Sequence, residues 1–339
     1  MKPALLHYWL TNMRGGEKVL AALGEMLPTA DIFTHSYVCG NMEGMFDGHM
    51  VTESFISRLP FGRRHPQAYL PLMPVATRAL KLDGYDLIVS SESGPIKGIR
   101  KPKGARHVCY CPTPMRYLWD MHDEYFRTAG IGGKLAMKLF TPYLRREDLK
   151  SAESVDEFVA NSAFVAERIK RIYGRESVVV HPPVDVEFFE DCARGGGGYY
   201  LFAGAPVKYK RLDLARAACE RLGRRLVVVG GGGFSREELR SAYAGAKALL
   251  FPGLEDFGIV PVEAQAAGCP VIAYGAGGAL ETVLDGETGV FFGSQDVESL
   301  CGAMEECEGR RWNPVVCRAN ARRFSKQEFL NRMKGILCC

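Results

Sequence analysis

Short apolar or β-branched runs recur along the chain, each followed by a stretch whose apolar residues repeat at three- and four-residue spacing. Such runs read as buried strands, and the spacing between them reads as amphipathic helix. A first series of strands is predicted at Ala4–Trp9, Leu87–Ser90, Arg106–Tyr110, Glu157–Ala160 and Ser177–Val180. A second series follows at Tyr199–Phe202, Arg225–Val229, Ala248–Phe251, Val271–Tyr274 and Gly289–Phe292. Strands apolar on both faces that alternate with helices build parallel sheets, so the pattern predicts an α/β fold with two doubly wound, Rossmann-like domains. Between the series, Pro182 and Pro183 end a strand and Gly195–Gly198 supply four residues with no side chain to pack, which places a hinge within 181–200. The expected domains are 1–182 and 199–312, with a helical segment 313–339 that could pack on either.

Composition narrows the picture. The 339 residues are 47% hydrophobic and 24% charged, ordinary values for a globular protein. The net charge of +4 is small and its cations are dispersed, which argues against a nucleic-acid partner. The 11 cysteines contain no CxxC pair, so neither a zinc site nor a disulfide framework is indicated. Cys109 and Cys111 alternate on one strand, as reduced, buried thiols would, and a cytoplasmic location fits. Met1–Leu10 reads as the first strand, not as a signal peptide. No apolar run approaches the roughly 20 residues that span a bilayer, so membrane contact would be peripheral. Residues Phe55 to Leu82 mix aromatic and aliphatic side chains with Arg58, Arg63, Arg64, Arg78 and Lys81 and contain no acid. That segment suits an anionic lipid surface or a phosphorylated acceptor, and equally a helical hairpin with a solvated basic face.

Candidate chemistry concentrates in Ala248–Gly268, ALLFPGLEDFGIVPVEAQAAG, where a strand ends at Pro252 and Gly253 and a helix starts near Gly258. Pro261 suits a first helical turn. The amides of Phe257, Gly258 and Ile259 then face out of a helix N-terminus, an anion site that fits a diphosphate, with Glu263 beside them. Glu255 and Glu263 are equally readable as a loop acid and as an acid complementing the helix dipole. Ligands of open α/β sheets bind at the carboxyl ends of the strands, which favours the functional reading. A second anion site is suggested by Gly15 and Gly16 after the first strand, which could also be a plain tight turn before a helix Glu17–Leu27. In VKYKRLDL, residues 207–214, Lys208, Lys210 and Arg211 open another helix and could neutralise a departing diphosphate or simply face water. Gly230–Gly233 invites a dinucleotide reading, but the third glycine position is Ser235 and no acid closes a following strand.

Taken together, RGGEKVL (14–20), SSESGPIKG (90–98), YCPTPMRYLWD (110–120), FVANSAFVAERI (158–169), EDFGIVPVEAQ (255–265) and GGALETV (277–283) resemble family 4 glycosyltransferases. The likeness is greatest to bacterial mannosyltransferases of O-antigen and polysaccharide assembly. The resemblance implies a GT-B fold, two Rossmann-like domains facing across a cleft, with the final helix crossing back to the first domain. It implies metal-independent, retaining transfer of a sugar from a nucleotide-sugar donor, GDP-mannose, to a lipid-linked acceptor, with no cofactor. Glu255 would then contact the transferred sugar and Glu263 the ribose. Lys210, helped by Lys208 and Arg211, would hold the diphosphate with the Phe257–Ile259 amides and with Gly15 and Gly16. Arg116 would face donor and acceptor. Three departures stand out: Pro112 replaces a histidine, Ala205 replaces an arginine, and one α/β unit is missing from the second domain between Gly233 and Phe234. They motivate a second reading, a homologue that binds a nucleotide or glycan without turnover.

Overall fold

The computed structural model describes residues 2–195, 197–230 and 234–338. Gly196 of the glycine tetrad, Gly231–Gly233 of the dinucleotide-like run and Cys339 lie outside the described residues. The chain forms two compact units, Met1–Val180 with Arg332–Cys339, and His181–Asn331.

Unit 1 is a seven-stranded sheet: β1 (Pro3–His7), β2 (Asp31–Thr34), β3 (Val51–Glu53), β4 (Leu87–Ser91), β5 (Arg106–Cys111), β6 (Glu157–Ala160) and β7 (Ser177–Val179). The order is β3-β2-β1-β4-β5-β6-β7 and every pair is parallel. Its helices are α1 (Gly15–Met26), α2 (Met73–Ala79), α3 (His122–Thr128), α4 (Ile131–Glu153) and α5 (Ala163–Tyr173). Strand residues feed separate cores: Ala4, Leu6 and Ile88 join Leu80, Ile96 and Ile99, whereas Cys109, Cys111, Phe158 and Ala160 join Ala152, Val165 and Ile169. The sequence pattern omits β2 and β3, because their apolar runs are only Ile32–Phe33 and a lone Val51.

Two expectations are corrected here. The helix after β1 begins at Gly15, two residues earlier than the expected Glu17, so the glycine pair forms its first turn. Arg14 is the N-cap, and its amide donates to Glu17 Oε2 at 3.1 Å. The segment Phe55–Leu82 is not a helical hairpin; it forms 3₁₀ turns at Phe55–Arg58 and Pro66–Leu72 that run into α2. Its four prolines, at positions 60, 66, 71 and 74, each remove a backbone donor and cut the helix into short pieces. Ile56, Met73 and Ala76 are buried in a small cluster against Trp9 and Leu59.

Unit 2 opens with α6 (Val186–Glu190), followed by β8 (Tyr199–Ala203), α7 (Leu212–Arg221), β9 (Arg225–Val229), α8 (Arg236–Gly245), β10 (Leu249–Phe251) and α9 (Ile259–Ala266). It continues through β11 (Val271–Tyr274), α10 (Ala279–Thr282), β12 (Gly289–Phe292), α11 (Val297–Glu308) and α12 (Pro314–Arg322). The last helix, α13 (Lys326–Leu337), begins in unit 2 and has its residues from Arg332 onward grouped with unit 1. The five-stranded parallel sheet runs β12-β11-β10-β8-β9. Alternate residues point to opposite faces, as the strand period of two requires. Leu201, Ala203, Leu249 and Phe251 enter one core, and Tyr200, Phe202, Leu250 and Ile272 enter the other. β9 is an edge strand and the next described elements are α8 and β10, so among the described residues the second sheet is one α/β unit short of a six-stranded Rossmann half.

Candidate functional site

In an open parallel sheet the strand order reverses at one point, and the loops leaving the carboxyl ends of the two strands there diverge to leave a crevice. In unit 2 that point lies between β8 and β10. The loop after β8 carries Lys208, Lys210 and Arg211; the loop after β10 carries Glu255. The two loops meet: Lys210 Nζ lies 3.0 Å from Glu255 Oε1, with both side chains largely shielded.

Glycines allow this approach. A Cβ on Gly253 would lie 2.8 Å from Lys210 Cα and from the Tyr209 carbonyl oxygen, so a side chain there would push the Lys210 backbone away. Gly278 is as constrained, since its Cβ would lie 2.3 Å from Phe257 Cα, and its amide donates to the Glu255 carbonyl at 2.9 Å. The GGALETV and EDFG motifs, separate in sequence, are thus one packed unit.

Gly258, at φ 97°, is the N-cap of α9. This left-handed turn is easiest for glycine. The first amides of a helix have no acceptor within it, so the N-terminus of α9 presents donors and a partial positive charge next to Glu255. Phe257 itself is buried, its ring stacked on His181 at 5.4 Å and edge-on to Phe324 at 5.5 Å. His181 Nε2 is 3.0 Å from Glu281 Oε2, tying the strand-end His-Pro-Pro segment to the GGALETV motif.

Glu263 falls in the second turn of α9, not beside its first amides. It is buried, and its Oε2 accepts a hydrogen bond from the Tyr243 hydroxyl at 3.0 Å. Burial and then the Glu263 charge raise the Tyr243 pKa well above its usual value, so the hydroxyl stays protonated as a donor.

The three cations are deployed differently. Lys210 faces Glu255, Lys208 is exposed, and Arg211 is held by Asp213 at 3.2 Å and by the Gln295 carbonyl at 3.4 Å. Arg211 also adopts a left-handed conformation at φ 56°, which turns the chain into α7.

Unit 1 has its own reversal point, between β1 and β4. Gly16 sits over His7: its Cβ would lie 3.3 Å from His7 Cε1. His7 Nδ1 donates to the Ser91 carbonyl, leaving Nε2 3.9 Å from Glu17 Oε1. Burial lowers His7 to about 4, and burial raises Glu17 to about 7 against the opposing pull of its backbone hydrogen bonds and Arg14. The SSESGPIKG motif buries Lys97 between Asp148 and Glu92, at 2.5 and 3.2 Å. Burial alone would lower the Lys97 pKa, but the two carboxylates outweigh it and raise it well above its usual range. Trp119 Nε1 donates to the other Asp148 oxygen at 2.8 Å, so this network also anchors the segment that carries half-buried Arg116.

Sequence reading missed His181, Glu281 and Tyr243 as neighbours of the site. The His-Pro-Pro segment carried only a turn signal, and nothing in spacing ties residue 181 to 281 or 243 to 263. No group of His, Cys, Asp and Glu able to hold a metal ion occurs among the described residues.

Residues 13–188 match the model of Glycosyltransferase Family 4 and residues 228–324 that of Glycosyl transferases group 1. The first spans just over half of the chain, and the chain belongs to glycosyltransferase family 4. Among curated relatives, D-inositol 3-phosphate glycosyltransferase of Mycolicibacterium smegmatis is 26% identical over 228 residues, 55% of this chain and 52% of the relative. D-inositol 3-phosphate glycosyltransferase 1 of Catenulispora acidiphila is 34% identical over 234 residues, 49% of this chain and 56% of the relative. The chain therefore spans about half the length of the curated relatives it matches. The fold is GT-B. Sucrose-phosphate synthase from Thermosynechococcus elongatus superposes with a TM-score of 0.73 at 17% identity, covering 99% of this chain and 98% of that one. Anabaena HepE, solved with UDP and glucose, gives 0.70 at 16% identity with complete coverage of both.

Proposed function

We propose that this protein is a retaining, metal-independent hexosyltransferase that moves mannose from GDP-mannose onto a lipid-linked or polysaccharide acceptor. The observation that carries the reading is the Lys210–Glu255 pair, 3.0 Å apart at the reversal point of the second sheet and next to the α9 N-terminus. A cation and a set of helix amides suit a leaving diphosphate, and a carboxylate beside them suits hydroxyls of the sugar being moved. In this reading Lys210 swings from Glu255 to the diphosphate when the donor arrives, and Glu255 is released to orient the sugar. Lys208 and the Phe257–Ile259 amides add positive potential and Glu263 takes the ribose; within unit 1 the proposed roles are phosphate binding for Gly15 and Gly16 and donor and acceptor contact for Arg116. Arg211, held by Asp213, contributes through charge at longer range. Catalysis then rests on positioning and on stabilising charge as it develops on the leaving phosphate. The proposed setting is the cytoplasmic side of an anionic membrane, where a lipid-linked acceptor is presented.

The test is calorimetric titration with GDP, UDP, ADP and their mannose and glucose conjugates, paired with a transfer assay that reads the product's anomeric configuration. Inositol 3-phosphate belongs among the acceptors tried, given the curated relatives. Lys210→Met should lower kcat by about 10²–10³-fold, the range for losing one preorganised charge donor. Glu263→Ala should weaken nucleotide binding. Unchanged turnover in Lys210→Met overturns the assignment. The second reading, a binding protein without turnover, is favoured by the five-stranded second sheet together with Pro112 and Ala205. Donor binding with neither transfer nor hydrolysis selects it.

A further inference from the structure

The first half of α4 presents an apolar surface that no described residue covers. Ile131 is 91% exposed, Leu135 68% and Leu139 66%, the most exposed run of large apolar side chains in any helix of unit 1. Every buried residue of this 23-residue helix lies from Thr141 onward, so its first ten residues contribute no side chain to the core. At about 100° per residue these three positions fall within about 80° of one another, which makes them a stripe and not a scatter. Lys134 and Lys138 run along one flank of it, where long side chains can lay their methylenes beside an apolar layer and keep the ammonium groups in a polar one.

Charge says what the stripe meets. From Tyr125 to Arg146 there are five Lys or Arg and no Asp or Glu, and the same holds from Phe55 to Leu82. These two segments are neighbours in unit 1: Leu70 packs on the cluster of Met115, Leu118 and Leu144, the last of which belongs to α4. Among the described residues Arg58, Arg64, Lys134 and Lys138 have no carboxylate partner, and Phe61 is 74% exposed between two of them. Exposed apolar groups flanked by unpaired cations match an anionic bilayer, where apolar side chains enter the headgroup boundary and nearby cations are drawn to the surface charge.

We infer that the N-terminal half of α4 is a membrane-docking element that lies in the plane of an anionic bilayer, with the Phe55–Leu82 segment beside it as a second contact. This deepens the lipid-linked-acceptor reading and rests on it for its use, while standing on separate residues. The test is co-sedimentation of the full chain with vesicles of phosphatidylcholine alone and with vesicles of phosphatidylcholine mixed with anionic phosphatidylglycerol. Wild type should sediment with the anionic vesicles and only weakly with the neutral ones. Leu135→Glu combined with Leu139→Glu should weaken that binding about tenfold or more, as should Lys134→Glu combined with Lys138→Glu. All four positions belong to a helix that carries none of the proposed donor residues, so GDP or GDP-mannose binding by calorimetry should be retained. Loss of nucleotide binding in wild type would sink the transferase reading and leave the lipid result intact. The proposal is overturned if both double variants sediment like wild type. It is also overturned if wild type is a dimer by light scattering that the Leu135/Leu139 variant dissociates, since the stripe would then be covered by a second copy.

Discussion

Single residues decide most of the site. Gly278 is the clearest case, because any side chain there meets the backbone of Phe257. Gly278→Ala should push the 255–258 loop off Lys210, lower donor affinity, and cost about 1–3 kcal/mol of overpacking. Differential scanning fluorimetry should register that as a Tm fall of several degrees, at about 2–4 °C per kcal/mol for a unit of this size. Glu17 gives a pH prediction. Its folded pKa, raised by burial to about 7, exceeds its ordinary value of 4.5, so the folded state binds the proton more tightly. The stability this contributes is fully present below about pH 4.5 and is lost as pH rises through 7. Glu17→Gln should therefore stabilise the protein at pH 8, by on the order of 1–3 kcal/mol, and change little at pH 4.5. Urea midpoints at the two pH values check both halves. A glutamine can still accept from the Arg14 amide, so the helix cap is kept.

Elements were legible wherever they were long or strongly patterned. All ten strands expected from apolar runs are present, to within a residue or two at their ends, because a contiguous run of apolar and β-branched residues marks a strand. The missed β2 and β3 carry apolar runs of only two residues and one, and β3 is only half-buried, so its pairing comes from the sheet and not from its own sequence. The Lys97 network shows an element-scale dependence that no local pattern reveals. Lys97 in the 92–98 loop, Asp148 on α4 and Trp119 after β5 converge from three parts of the chain. Lys97→Met would strand two carboxylates without their cation, and breaking a buried pair costs about 3–5 kcal/mol. Chemical denaturation should show that loss. Lys97→Met combined with Asp148→Leu should recover part of it, since the second change removes one of the stranded charges.

At the scale of the whole molecule, acid lability should be uneven. Burial lowers His7 and His107 to about 4 and His35 to about 3, all within unit 1, and unit 2 contains a single histidine, His181. These folded pKa values lie below the ordinary 6.5, so the neutral rings stabilise the fold above pH 6.5. That contribution is lost as pH falls through about 4. Hydrogen exchange should show β1, β4 and β5 losing protection before β8, β10 and β11 as pH drops from 6.5 to 4. Simultaneous loss in both sheets would contradict this. Cysteine chemistry gives a further check: Cys109, Cys111 and Cys269 are buried, and burial raises their pKa values. A thiol reagent should modify Cys39 and Cys338 in the native protein and reach those three only on unfolding.

The sequence by itself determined the two parallel sheets, the shortened second sheet and the family, because each rests on local apolar runs or on contiguous motifs. It also brought Glu255, Lys210 and the α9 N-terminus forward as candidates, since each lies where a strand gives way to a loop or helix. Only the tertiary structure decided which candidates touch. Lys210 reaches Glu255 because β8 and β10 are adjacent and Gly253 lets their loops close together, while Arg211 is drawn away by Asp213 and Glu263 is turned inward to Tyr243. The exposed stripe of α4 was equally invisible beforehand. Periodic apolar residues predict that a helix has an apolar face, and only the packing of the remaining chain determines whether anything covers it.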